Sequence, residues 1–185
     1  MNTDIKEIII TEEQIKERVL EIAKKIDENY KEEPIVLLGL LKGSFSFLSD
    51  LSKKIKNPNV EIEFIVVKSY LNGKSTNNIN IVLDLKKDIK DKNIILIEDI
   101  VDTGRTLSTV KKIMQERSGK KVEIVSLCSK TSQRVMAVEI DYPTFEIPNE
   151  IVVGCGLDYN EKYRHLPYVA SLTKEALDKY KKGEN

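Results

Sequence analysis

The stretch "NIILIEDIVDTGRT", residues 93–106, decides how this chain is read. Ile94 to Ile97 form an unbroken apolar run that suits the middle of a sheet, yet it leads directly into Glu98, Asp99 and Asp102, carboxylates that repel one another. A Thr103-Gly104-Arg105-Thr106 turn follows. From Thr106 to Ser118, Leu107, Val110, Ile113 and Met114 then recur at helical spacing, and Gly119 is placed to end the helix. The acids therefore stand between a strand and a helix, and the pattern predicts them on the rim of a sheet, where water, a cation or sugar hydroxyls can meet them.

The same alternation runs outward in both directions. Thr11 and Gln14 read as a capping box, ahead of Ile15, Val19, Ile22, Ala23, Ile26 and Tyr30 at helical spacing. "PIVLLGLLKG" (34–43) is an apolar strand stopped by Lys-Gly and followed by the helical pattern of "SFSFLSDLSKKI" (44–55). "VEIEFIVVKSY" (60–70) reads as a strand, "LNGKSTNNIN" (71–80) as a long polar loop and "IVLDL" (81–85) as a short strand. "VEIVSLCSK" (122–130), "TFEI" (144–147) and "IVVGCGL" (151–157) supply the remaining strands. Strands that are nearly continuous apolar runs, alternating with helices, predict an α/β fold with a mostly parallel central sheet covered on both faces, in one domain over residues 1–185. Such sheets bind ligands at the carboxyl ends of their strands, where the strand order reverses.

Composition narrows the chemistry. With 41% apolar and 32% charged residues the chain is of the globular class, and thirty Lys and Arg balance thirty Asp and Glu. That balance gives no overall field for holding nucleic acid. Cys128 and Cys155 have no CxxC spacing and there is one His, so neither a disulfide framework nor a Cys/His zinc site is indicated. The N-terminus reads as neither signal peptide nor membrane span, and the expected location is cytoplasmic.

One acid after a strand is ordinarily a solvated turn. Three acids, a Thr-Gly and a Thr leading into a helix point instead to a ligand. A P-loop would need G-x-x-x-x-G-K-[ST], but the chain's Gly73-Lys74-Ser75 has Lys68 where the first glycine belongs. What remains is a cradle of backbone N–H groups and hydroxyls from Asp102 to Thr106, opening a helix and suited to a phosphate dianion. Acids beside it suit a ribose diol and Mg²⁺, and the three together describe a 5-phosphorylated ribose.

"IILIEDIVDTGRT" resembles the phosphoribosyl-pyrophosphate signature of type I phosphoribosyltransferases. "GLLKGSFSFLSDL", "VVKSY", "CSKTSQR" and "IVVGCGLDYNEKYRHLPYV" follow in the order and spacing of that family's hypoxanthine branch, so the likeness covers nearly the whole chain. It implies the type I fold, with a small hood made by N- and C-terminal segments. It also implies transfer of a phosphoribosyl group from phosphoribosyl pyrophosphate to N9 of a 6-oxopurine with Mg²⁺, in a homodimer or homotetramer.

Residue by residue, the resemblance gives Glu98 and Asp99 to the ribose hydroxyls and the metal, and Asp102 to N7 of the purine as general base. It gives Thr103, Gly104, Arg105 and Thr106 to the 5-phosphate, and Lys130 to the purine O6. Lys42 and Gly43 match a pyrophosphate-contacting turn that carries a cis bond before the lysine, placing one at Leu41-Lys42. Arg164 matches an arginine that receives pyrophosphate, and Asp158 an acid that faces the base and a water of a second metal. Ile151 falls where relatives place an aromatic ring over the purine, Val152 presents its backbone to the base, and Cys155 replaces a common tyrosine and reads as packing. Ser69 and Tyr70 open a lid over residues 69–80. His165 reads as a surface or packing residue, not a catalyst; the other readings are a solvated side chain for Lys130, a surface salt bridge for Arg164, and a passive loop for the lid. For the whole chain they are an RNA-binding regulator on the same scaffold, or an enzyme for another base such as xanthine or adenine.

Overall fold

Residues 3–69 and 79–181 are described by the structure, a computed structural model. The apolar runs become the parallel heart of a sheet: β2 (Ile35–Leu41), β3 (Val60–Ser69), β5 (Asn93–Val101) and β6 (Val122–Ser129). β4 (Ile79–Leu83) joins antiparallel to β3 at one edge, and the two-residue β7 (Phe145–Glu146) joins parallel to β6 at the other. The order is β4-β3-β2-β5-β6-β7.

Alternation along each strand sends residues to two separate cores. Leu37, Ile95, Ile97, Val125 and Leu127 pack with buried residues of α1 (Glu12–Tyr30) and α2 (Phe45–Ser52). Val36, Leu38, Ile94, Leu96 and Ile124 pack instead with Leu107, Val110 and Met114 of α3 (Arg105–Ser118). Burial on both faces is what makes these strands read as continuous apolar runs. The α1 capping box forms as expected, with Gln14 N–H donating to Thr11 Oγ1 at 3.2 Å and Thr11 N–H to Gln14 Oε1 at 2.8 Å. At the foot of the sheet, the Tyr30 and Tyr142 hydroxyls both donate to Glu123 Oε2, at 2.7 and 2.5 Å, so the carboxylate buried in β6 is satisfied.

A second sheet, β1-β9-β8, is antiparallel and joins the two ends of the chain: β1 (Ile5–Ile10), β8 (Val152–Val153) and β9 (Val169–Leu172). It is the hood, and α4 (Lys174–Lys181) follows it. Three details differ from the sequence pattern. β1, β9 and α4 carry no periodicity long enough to announce them. The strand expected at 81–85 begins earlier, at Ile79. Only Val152–Val153 of "IVVGCGL" is strand, because Gly154, Cys155 and Gly156 take φ of 98°, 50° and 101° and turn the chain back. Among the described residues no helix is long and apolar enough to cross a membrane.

Candidate active site

β2 leads on to β3 on one side and β5 continues to β6 on the other, so the strand order reverses between β2 and β5. A cleft of about 350 Å³ opens there, at the carboxyl ends of both strands. Its walls include Lys42 and Gly43 after β2, Val67 of β3, Glu98 to Gly104 with Thr106, and Asp158 with Arg164 from the hood-side loop.

The floor depends on absent side chains. The Leu41-Lys42 peptide is cis, as the resemblance implies. A Cβ on Gly43 would lie 1.7 Å from Asp99 Oδ2, and one on Gly156 would lie 1.8 Å from the Gly43 carbonyl oxygen. Gly156 therefore stacks on Gly43, which stacks on the Asp99 carboxylate. The sequence reading missed Gly156; the repeated glycine of "GCG" was its only signal.

Glu98 and Asp99 are not out on the rim as the strand-then-acid pattern predicts. β5 runs on to Val101, Glu98 is in register with Ser126 of β6, and Asp99 is only 9% exposed. The apolar run looked complete at Ile97 because the pairing beyond it is made by backbone, which side-chain hydropathy does not report. Ile100 N–H donates to Asp99 Oδ1 at 2.8 Å, whereas the enclosed Glu98 Oε2 has no hydrogen-bond partner. Burial first, then the neighbouring Asp99 charge, pushes the Glu98 carboxyl well above the usual carboxylate range. Burial also pushes Asp99 up, against the backbone N–H bonds and the Arg164 guanidinium that favour its charged form.

This arrangement has a consequence for stability. A carboxyl whose pKa is raised on folding holds a proton that the unfolded chain has released, so stability falls as pH climbs through that window. Glu98→Gln removes the penalty. The variant is expected to melt roughly 2–4 °C above the parent near pH 8, on the order of 1 kcal/mol, with the gain vanishing below pH 4. Thermal melts across pH test this; a variant that melts lower at every pH would make Glu98 a structural charge.

Beyond β5 the chain turns. Asp102 and Thr103 are exposed, Gly104 caps α3 with φ 79°, and its carbonyl accepts from Ser108 N–H at 2.9 Å. The Thr103 carbonyl accepts from both Val135 and Met136 N–H, at 3.0 Å each. Thr106 lines the cleft; Arg105, the first residue of α3, is exposed and outside it.

Asp102 and Lys130 stand side by side. Val101 pairs with Ser129, and each of the two residues follows its own strand by one position, with Lys130 N–H donating to the Val101 carbonyl at 2.9 Å. Neighbouring strands lie about 4.8 Å apart. Lys130 Nζ donates to the Glu150 carbonyl at 2.8 Å, next to Ile151, which is 43% exposed, and the buried Val152.

Arg164 Nη1 donates to the Gly156 carbonyl at 2.9 Å, and Nη2 lies 2.8 Å from Asp158 Oδ1 and 3.2 Å from Glu161 Oε2. Asp158 Oδ2 accepts from Glu161 N–H at 2.8 Å. Lys42 Nζ reaches the same Glu161 oxygen at 3.0 Å, so Glu161, which the sequence reading passed over, joins the two cations expected to meet pyrophosphate. Cys155 is buried against Ser46 with its thiol pushed up to about 11 by burial, as packing requires; His165 is exposed and outside the cleft. Ser69 closes β3, while Tyr70 and the rest of the expected lid to Asn78 lie outside the described residues.

The phosphoribosyl transferase domain profile matches residues 7–160. The chain is 42% identical over 169 residues to the hypoxanthine phosphoribosyltransferase of Salmonella typhimurium, covering 90% of this chain and 94% of that one. It superposes on a crystal structure of a hypoxanthine phosphoribosyltransferase from Staphylococcus aureus with a TM-score of 0.88 at 41% identity, covering 93% of this chain and 94% of that one. The Trypanosoma cruzi hypoxanthine phosphoribosyltransferase, solved in complex with the product IMP, aligns with a TM-score of 0.87 at 34% identity over 95% of this chain and 98% of that one. The switch-point cleft, its acid pair and its helix-capping turn thus sit on a scaffold shared along nearly its whole length with these enzymes, and the chain belongs to the phosphoribosyltransferase family, in its hypoxanthine branch.

Proposed function

We propose that this protein transfers the 5-phosphoribosyl group of phosphoribosyl pyrophosphate to N9 of hypoxanthine, and of guanine, releasing pyrophosphate in a purine-salvage reaction. The observation that carries the reading is the pair Asp102 and Lys130, one residue beyond a shared rung of β5 and β6. A 6-oxopurine presents N7 and O6 side by side on one edge. An acid and an ammonium one strand apart match that edge, the ammonium donating to O6 and the carboxylate accepting the N7 proton.

In this reading N9 attacks C1′ of the ribose, the bond from C1′ to the pyrophosphate oxygen breaks, and the proton on N7 passes to Asp102. Thr103, Gly104, Arg105 and Thr106 hold the 5-phosphate through N–H groups and hydroxyls at the start of α3. Lys42, the Gly43 backbone and Arg164 take the leaving pyrophosphate, exchanging Glu161 for it. Ile151 covers one face of the base with an aliphatic side chain, the Val152 backbone meets its edge, and Ser69 and Tyr70 belong to the segment that excludes water.

Glu98 and Asp99 are assigned to the ribose hydroxyls and to Mg²⁺, with Asp158 facing a second ion through water. Among the described residues no cluster of three or more His, Cys, Asp or Glu is arranged to hold a metal. That suits an ion which takes one or two carboxylates and draws its other oxygens from substrate and water, and the unpartnered Glu98 Oε2 is a donor atom it would satisfy. When bound, Mg²⁺ supplies positive charge to the pyrophosphate as it leaves. Assembly as a homodimer or homotetramer and residence in the cytoplasm belong to the same proposal and rest on the family.

Steady-state rates with hypoxanthine, guanine, xanthine and adenine, each with phosphoribosyl pyrophosphate and Mg²⁺, test the reading. Hypoxanthine and guanine are expected to turn over and adenine to fail. Failure of all four would refute it, and preference for xanthine would move the assignment to another branch.

A further inference from the structure

The turn that begins α3 is held from behind by a segment outside the cleft. A Cβ on Gly104 would meet the Met136 carbonyl oxygen at 2.8 Å, and Arg134 Cδ and Val138 Cγ2 at 3.0 Å each, so residues 134–138 press directly on its back. Val135 and Met136 N–H both donate to the Thr103 carbonyl. Across a trans peptide the N–H points opposite to the carbonyl. Fixing the Thr103 carbonyl toward 135–136 therefore aims the Gly104 N–H the other way, into the cleft that Thr103, Gly104 and Thr106 line.

Residues 135–138 have no regular structure of their own to hold them. Arg134 supplies the tie. Its Nη1 donates to the Val138 carbonyl at 3.0 Å and its Nη2 to Ser129 Oγ at 2.8 Å, so one guanidinium closes the loop on itself and fastens it to the last residue of β6. Ser129 is 1% exposed and directly precedes Lys130. A planar guanidinium donates in two fixed directions at once, which an ammonium cannot reproduce.

We propose that Arg134 is a positioning residue for recognition of the substrate's 5-phosphate: through the Val135 and Met136 N–H groups it sets the Thr103-Gly104 peptide that faces the phosphate. It touches neither base nor ribose, and it acts through the turn alone. This rests on the phosphoribosyl-transfer reading of the cleft.

The test compares binding of IMP and of inosine, which differ only in the 5-phosphate, by calorimetry on the folded protein, for the parent, Arg134→Met and Arg134→Lys. A hydrogen bond to a charged group is worth about 10- to 100-fold in affinity. Arg134→Met is expected to lose about that factor for IMP, with inosine unchanged, so that the ratio of the two affinities collapses. KM for phosphoribosyl pyrophosphate should rise with it, while kcat changes less. Arg134→Lys, which can keep one tie, is expected to fall between, and it decides the matter if Arg134→Met does not fold. An unchanged IMP-to-inosine ratio in a folded variant, or an equal loss for both ligands, overturns the proposal. A parent protein that binds no IMP would instead overturn the functional reading beneath it.

Discussion

Asp102→Asn is expected to lower kcat by about 10²- to 10⁴-fold, the range for a positioned acid or base, while KM for phosphoribosyl pyrophosphate changes little. The substitution preserves shape and removes only the capacity to take a proton. Asp102 is exposed, one residue past the end of β5, and no packing in the cores of the sheet depends on it, so the loss should come with no change in melting temperature. This separates it from Glu98, four positions earlier within β5, whose replacement is expected to show first in stability and in the requirement for Mg²⁺ and phosphoribosyl pyrophosphate. Single-turnover rates with saturating substrates distinguish slow chemistry from slow release. Near-normal turnover in the Asn variant would take the proton-accepting role away from Asp102.

Much of this site could be seen in the chain because its parts are local. A strand that ends in acids, a Thr-Gly turn and an amphipathic helix all lie within residues 93–118, and their order alone places a ligand at a sheet's carboxyl edge. The capping box at Thr11 and Gln14 is likewise a three-residue event and forms as read. What the chain concealed is made by approach between distant segments. Gly156 packs on Gly43 across more than a hundred residues, Glu161 reaches back to Lys42, and β1 pairs with β9 from the opposite end of the chain. None of these contacts has a period or a neighbour in sequence to betray it.

The acid pair shows the same limit from another side. The sequence pattern ends the β5 strand at Glu98, yet backbone pairing continues through Ile100↔Cys128 and Val101↔Ser129, and it carries two carboxylates into the protein. A folded chain does not bury an unpartnered carboxylate oxygen for its own stability. Glu98 is therefore a local conflict between folding and function. Its cost is the upward push on its own carboxyl, and the use we propose for it is to offer its oxygens to a ribose and a metal.

Lys130→Met is expected to remove most activity toward hypoxanthine and to narrow the gap between hypoxanthine and adenine. An ammonium can only donate hydrogen bonds, so it suits the carbonyl O6 of hypoxanthine or guanine, whereas adenine presents a donor amino group at the same place. Two donors would then face one another. The geometry leaves the lysine little freedom to avoid this: its backbone N–H is tied to the Val101 carbonyl, and its Nζ already spends one donor on the Glu150 carbonyl, which fixes where the others point. A site that leaves a buried polar group unpaired can reject the mismatched base by about 10⁴-fold or more in kcat/KM, far beyond what shape alone provides. Methionine keeps the length and the apolar stem but donates nothing, so it should relieve the clash with adenine at the same stroke as it loses O6. Competition kinetics with the two bases in one reaction measure the ratio directly. A parent enzyme that already used adenine as readily as hypoxanthine would overturn both the role of Lys130 and the 6-oxopurine assignment.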